Sequence, residues 1–322
     1  MKKGWRGPLL LAATIAIPAS AQIGVPPLHI ANPSPAPVPL ADDGALAFGD
    51  AQARMTVPVT IGVRGPWPFI VDTGAERTVV SRELAGVLGL VAGTDVRVTA
   101  MTGTTMVGTV IVPTLSVSTI SHRTIAAPAL ETRNLGALGM LGLDALQGHS
   151  VAIDFDHARM TLRPSRSRSA HVAAAPDEIV VVAKSLYGQL IVTDAHWRGV
   201  RIAVIIDTGS PVSIGNHALL AAMTKPPLPL GPLSVVSATG QILTADAYAV
   251  DRLNIGSVDV ANVRIAFSDV PPFRRFGLTT RPALMLGMDV LRLFRLVQID
   301  FANREIRFEL PRGMAHGGGP AL

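Results

Sequence analysis

The chain of 322 residues contains no cysteine. That excludes disulfides, thiol nucleophiles, thiolate metal sites and a lipid anchor on an N-terminal cysteine. It does not exclude export. Aromatics are scarce, at 4%. Any core must therefore be built from Val, Ile, Leu, Ala and Met, and there is little to form stacking platforms for bases or sugars. Charge is sparse too, with 16% Asp, Glu, Lys and Arg. The net charge of +5 rests largely on Lys2, Lys3 and Arg6 and on a cluster from Arg159 to Arg168. Without an interleaved basic and aromatic stripe, no nucleic-acid partner is expected. The eight histidines are scattered, with no pair at metal-ligand spacing, so neither metal nor cofactor is expected. No apolar run is long enough to span a bilayer comfortably.

What is present is apolar and rich in turns: 48% hydrophobic residues, 30 Gly and 25 Pro. That is enough to bury a core, and it favours short strands over long helices. A basic start, an apolar stretch from Pro8 to Ile17 and Ala19-Ser20-Ala21 read as an export signal over 1–21. The mature protein is then expected in the periplasm or secreted, without stable membrane insertion. A Pro-rich flexible leader follows over 22–45. Two lobes are expected at 46–164 and 178–312, joined by a linker at 165–177, with a loose tail at 313–322.

The two lobes are expected because the sequence repeats. Ile70-Val71-Asp72-Thr73-Gly74 recurs 135 residues later as Ile205-Ile206-Asp207-Thr208-Gly209, and Thr78-Val79 aligns with Ser213-Ile214. Met140-Leu141-Gly142-Leu143-Asp144 matches Met285-Leu286-Gly287-Met288-Asp289, and Ile153-Asp154-Phe155 matches Ile299-Asp300-Phe301. The order is kept while the spacing drifts, as duplication with loop insertions produces. Each half reads as strands and hairpins, with turns at Arg64-Gly65-Pro66, Thr102-Gly103, Asp156-His157, Arg198-Gly199, Thr239-Gly240 and Asn303. A short helix is read from Arg82 to Leu90.

One Asp-Thr-Gly after an apolar strand is weak evidence, since the tripeptide also makes turns and helix caps. Two copies at matching places of a repeat predict a site on a pseudo-twofold axis where Asp72 and Asp207 meet. The strand aims the carboxylate, Gly74 and Gly209 let the backbone turn beneath it, and the Thr73 and Thr208 hydroxyls can brace the partner loop. Two carboxylates held close cannot both ionise easily, so the pair keeps one proton into the acid range. One oxygen can then deprotonate a water while the other donates to a carbonyl. Gly142 and Gly287 read as fold requirements. Asp144 and Asp289 read as caps of a short helix, and Asp154 and Asp300 as structural residues inside late strands. Ser210 and Ser213 lack a nucleophile-elbow pattern.

Over roughly Ala53 to Leu310, both halves resemble lobes of the pepsin and retropepsin superfamily of aspartic proteases. The resemblance rests on Asp72-Thr73-Gly74 with Met140-Leu141-Gly142, and Asp207-Thr208-Gly209 with Met285-Leu286-Gly287. Ala75-Glu76 and the short halves are closer to the retroviral type. The resemblance implies an all-β fold of two pseudo-twofold-related, closed barrel-like lobes with short helices, and endopeptidase activity on a polypeptide by a monomer. It places the catalytic role on Asp72 and Asp207, and flaps at Thr102-Gly103 and Thr239-Gly240. Neither tyrosine, Tyr187 nor Tyr248, falls in the first flap. The alternatives are a non-catalytic peptide-binding module on the same fold and a paired-carboxylate glycosidase. Intact aspartates argue against the first and scarce aromatics against the second.

Overall fold

A computed structural model of the chain describes residues 45–118, 120–167, 178–256 and 258–311, with two short strands, Leu9–Leu10 and Thr14–Ile17. The rest of the expected signal, the Pro-rich leader up to residue 44, most of the linker and the tail lie outside the described residues.

Each half closes a six-stranded barrel. In the first, the order is Arg54–Ile61, Arg64–Val71, Gly139–Leu141, Val79–Ser81, Ile120–Leu130 and Thr109–Val117, which returns to the first strand through Leu115 opposite Ile61. In the second it is Gln189–Trp197, Val200–Ile206, Ala283–Leu286, Ser213–Gly215, Val258–Phe267 and Ile242–Ile255, closed by Ala195 opposite Ile255. The fold is thus all-β with two matching lobes, and the short helices, such as Arg82–Leu88 and His217–Ala222, lie between strands.

The strands follow from alternation. Val57, Val59 and Ile61 are buried, while Pro58 and Thr60 between them are partly exposed. Period two puts one row of side chains into the barrel. Each buried Val or Ile contributes about 1.5–3 kcal/mol. The first turn is not where Arg64-Gly65-Pro66 suggested. Gly62 turns the chain with φ +60 and Val63 is 99% exposed, whereas Arg64 to Pro66 already belong to the next strand. A left-handed glycine suits a tight hairpin, and Pro66 is tolerated near the strand's start.

The third repeat joins the lobes. His149–Asp154 pairs antiparallel with Leu296–Asp300, placing Val151 opposite Ile299 and Ile153 opposite Val297. Arg159–Pro164 and Ala45–Ala47 extend this sheet on one side, Glu305–Glu309 and Glu178–Leu186 on the other. Ala45, assigned above to the leader, starts a strand here. Asp154 and Asp300 end their strands rather than sitting inside them. Asp154 accepts from the His157 N–H at 3.0 Å and Asp300 from the Asn303 N–H at 3.1 Å, so each closes a tight turn.

Candidate active site

The first two repeats lie side by side and present the aspartates. Met140 and Leu141 run parallel to Ile70 and Val71, and the Asp72 N–H donates to the Leu141 carbonyl at 2.9 Å. Met285 and Leu286 likewise flank Ile205 and Ile206, and the Asp207 N–H donates to Leu286 at 3.0 Å. A Cβ at Gly142 would lie 2.4 Å from the Arg77 carbonyl carbon, and one at Gly287 2.5 Å from the Val212 carbonyl oxygen. These glycines let two backbone segments touch.

Thr73 and Thr208 tie the loops across the axis. The Thr73 N–H donates to Thr208 Oγ1 at 3.1 Å and the Thr208 N–H to Thr73 Oγ1 at 3.2 Å. Each hydroxyl donates onward, Thr73 to the Ile206 carbonyl at 2.8 Å and Thr208 to Val71 at 2.7 Å. Thr208→Val keeps the volume but strands a buried N–H and a buried carbonyl. We expect a loss of about 2–4 kcal/mol in urea unfolding, and a loss under about 1 kcal/mol would refute this bracing role.

Asp72 and Asp207 are both fully buried. Asp72 Oδ1 accepts from the N–H groups of Gly74 at 2.7 Å and Ala75 at 3.0 Å, and Asp207 Oδ1 from Gly209 at 3.0 Å. Neither Oδ2 accepts from an N–H or hydroxyl among the described residues. The carboxyls are close enough to hydrogen-bond one another, which requires that one keep a proton. Burial pushes Asp72 up to about 6, against the pull of the Gly74 N–H, Arg54 and the Ala75 N–H. Burial, then the Asp72 charge, raises Asp207 well above the usual carboxylate range.

These shifts make stability depend on pH. An acid whose folded-state pKa is raised keeps a proton that the unfolded chain releases. Its contribution is full below about pH 4 and is lost as the pH rises through 6 and beyond. Urea unfolding at a series of pH values is expected to show a steeper fall for the native chain than for Asp207→Asn, where the like-charge partner is gone. Parallel curves would rule the coupling out.

Several neighbours were not legible as site residues. Asp144 and Asp289 are not helix caps; those positions are Gly142 and Gly287, with no side-chain bond. Instead Asp144 accepts from the Thr78 N–H and hydroxyl at 2.8 and 2.7 Å, and Asp289 from the Ser213 N–H and hydroxyl at 3.0 and 2.7 Å. Each thus fastens the strand that follows its Asp-Thr-Gly loop. Gln189, buried, donates across the lobes to the Gly74 carbonyl. Glu76 pairs with Arg275, which lies 4.3 Å from the Tyr187 ring.

The two turns expected as flaps lie at the tips of hairpins, Val96–Ala100 with Gly103–Val107 and Leu228–Ser237 with Ile242–Ile255. Their tips meet: the Thr102 hydroxyl donates to Gln241 Oε1 at 3.2 Å, and Thr239 to the same oxygen at 2.5 Å. Gly240, with φ +94, makes the second tip possible. Beside the first tip, Met101 packs among Ile191, Ile205 and Phe273 of the second lobe. Beside the second, Ala238 packs among Ile70, Val79 and Val98 of the first. Gly103, at the first tip, has φ +152 and open space among the described residues where a side chain would stand. Two surface cavities, of about 200 and 500 Å³, lie on the second lobe and include neither aspartate.

Two sequence families match the chain in tandem. Residues 57–148 match the family described as “gag-polyprotein putative aspartyl protease”. Residues 193–290 match the one described as “Aspartyl protease”. No curated protein matches the chain.

Proposed function

Since the chain belongs to the retropepsin-like aspartic protease superfamily, with two such domains in tandem, we propose that it is an aspartic endopeptidase working through Asp72 and Asp207. One observation carries this reading: two buried carboxyls, one from each lobe, lie close enough to share a proton, and the Oδ2 of each accepts from no other described residue. In the proposed reaction the ionised carboxylate takes a proton from a water whose oxygen attacks the peptide carbonyl carbon. The protonated carboxyl gives its proton to the carbonyl oxygen, forming a gem-diol. Collapse of the diol breaks the C–N bond. The nitrogen leaves with one proton and a diol hydroxyl proton returns to the dyad. Thr73, Thr208, Gly74 and Gly209 hold the two carboxyls in place.

The substrate in this reading is an extended polypeptide added as a strand beneath the flaps. The pairing of the flap strands with segments of the chain's own N-terminus supports it. Leu9–Leu10 lies parallel to Val98-Thr99, and Thr14–Ile17 antiparallel to Ser234–Ser237. Apolar residues near both flap tips, such as Ile70, Val98, Ile191 and Phe273, favour apolar side chains next to the scissile bond. The basic, then apolar, then small-residue N-terminus supports action outside the cytoplasm, and a dyad completed within one chain supports a monomer.

The test is incubation of the whole chain with an unstructured protein such as denatured casein from about pH 3 to about pH 8. Internal cuts between apolar residues, mapped by mass spectrometry, are expected. Peptide binding without any cut would hand the site to the non-catalytic peptide-binding reading. Cleavage of a polysaccharide alone would hand it to a glycosidase.

A further inference from the structure

Arg54 is among the largest side chains with no solvent exposure. Its Nη2 donates to the Leu135 carbonyl and, at 3.5 Å, to Gln52 Oε1. Its Nε and Nη1 are buried with no hydrogen-bond partner among the described residues. A buried guanidinium in that state needs a compensating charge. The strand register says which. Thr56 lies opposite Ile70 and Val57 opposite Phe69, so the same register two residues on sets Arg54 across from Asp72. In the second lobe Ile191 lies opposite Ile205, and the same step sets Gln189 across from Asp207. Gln189 is buried too, and its Oε1 has no hydrogen-bond partner among the described residues. Arg54 and Gln189 are 135 residues apart, as are the aspartates. One duplicated position thus holds a cation in one half and a neutral amide in the other.

We propose that this Arg54/Gln189 pair breaks the twofold symmetry of the dyad, holding the negative charge on Asp72 and leaving the shared proton on Asp207. Its part in the reaction rests on the endopeptidase reading: Asp72 becomes the base toward water and Asp207 the donor to the carbonyl. Arg54 is then a positioning residue for charge, not a catalytic one. The other charges nearby are matched to one another. Arg54 is attracted by Asp72 first, then less by Asp207 and least by Asp50, which is bound by Arg292 at 2.6 Å, and Glu76 is bound by Arg275. The shifts agree in direction. Arg54 acts to lower Asp72, while Asp207 is raised by burial and by the Asp72 charge. Burial brings Arg54 itself down to about 10, so it stays cationic wherever the dyad titrates.

The test is an NMR titration of the aspartate carboxyl carbons in the whole chain, assigned with Asp72→Asn and Asp207→Asn. Asp72 is expected to ionise first. In Arg54→Gln that ionisation moves up by about one pH unit or more, and in Arg54→Lys it stays low. Gln189→Arg lowers the ionisation of Asp207. A merely structural Arg54 would change stability and leave the titration where it was. Asp207 ionising first in the native chain, or an unmoved titration in Arg54→Gln, overturns the inference. If Arg54→Gln does not fold, Gln189→Arg decides, and an unmoved Asp207 overturns it. The acid limb of kcat/KM for peptide cleavage is followed alongside. A chain that cuts nothing defeats the endopeptidase reading, while the carboxyl titration still decides the role of Arg54.

Discussion

Asp72→Asn and Asp207→Asn are each expected to lose at least about 10³-fold in kcat/KM for peptide cleavage while remaining folded. Asparagine matches aspartate in size, so the packing has nothing to refill. At position 72 its Oδ1 can still accept from the Gly74 and Ala75 N–H groups, which fixes the amide nitrogen where Oδ2 now faces Asp207. That nitrogen donates to the remaining carboxylate, replacing the shared proton of the pair by an amide–carboxylate hydrogen bond. The fold gains at neutral pH, since a buried acid that resists ionisation is gone. The chemistry fails for the same reason. A carboxyl pair must offer one oxygen that takes a proton and one that gives it, and the amide does neither within the pH range of the reaction. Because the two act as a unit, the double variant is expected to lose little more than either single one. Activity is read with a quenched peptide and folding by circular dichroism. If either single variant, folded, keeps activity within about tenfold of the native chain, the shared-dyad mechanism is wrong.

The repeat made much of this architecture legible. Asp72 and Asp207, the bracing threonines and the hairpins tipped by Thr102-Gly103 and Thr239-Gly240 stand at matching places in two copies, and matching places in a duplicated chain become symmetry-related places in space. Local alternation also predicts that Val57, Val59 and Ile61 point inward. It carries no information on the partner across a closed barrel, so the contact of Leu115 with Ile61 could not be read. Asp144 and Asp289 were misread because an acid in a helix's first turn is ordinarily explained by the helix. Their real partners, Thr78 and Ser213, stood in the aligned repeat as two hydroxyl residues facing two carboxylates. Arg54 and Gln189 escaped because a search for identical residues passes over a position where the copies differ. Gln241 escaped because the first copy has no glutamine at its flap tip to match.

Gly209→Ala is expected to cost both stability and activity, by a route that contains no chemistry. A Cβ at 209 would lie 2.2 Å from Asp72 Cγ, 2.3 Å from Oδ2 and 2.5 Å from Oδ1. The methyl would press on the whole carboxyl. Glycine at 209 is therefore explained by this close approach, and its backbone is not in the left-handed region where glycine is favoured. Asp72 cannot swing aside cheaply, because two backbone N–H groups hold its Oδ1 and no part of it reaches solvent. The lobes must part instead, and the threonine bonds across the axis are the first to stretch. Overpacking of this kind costs about 1–3 kcal/mol, and a displacement of about 1 Å at reacting groups costs about 10²-fold in rate. Together they predict a destabilised chain with kcat/KM reduced at least about 10²-fold. The cause is isolated by Asp72→Ala in the same background. Removing the carboxyl removes the collision, so the double variant should recover most of the stability lost by Gly209→Ala while staying inactive. Stabilities that simply add, measured in urea, would mean that the damage comes from the backbone at 209 and not from its contact with Asp72.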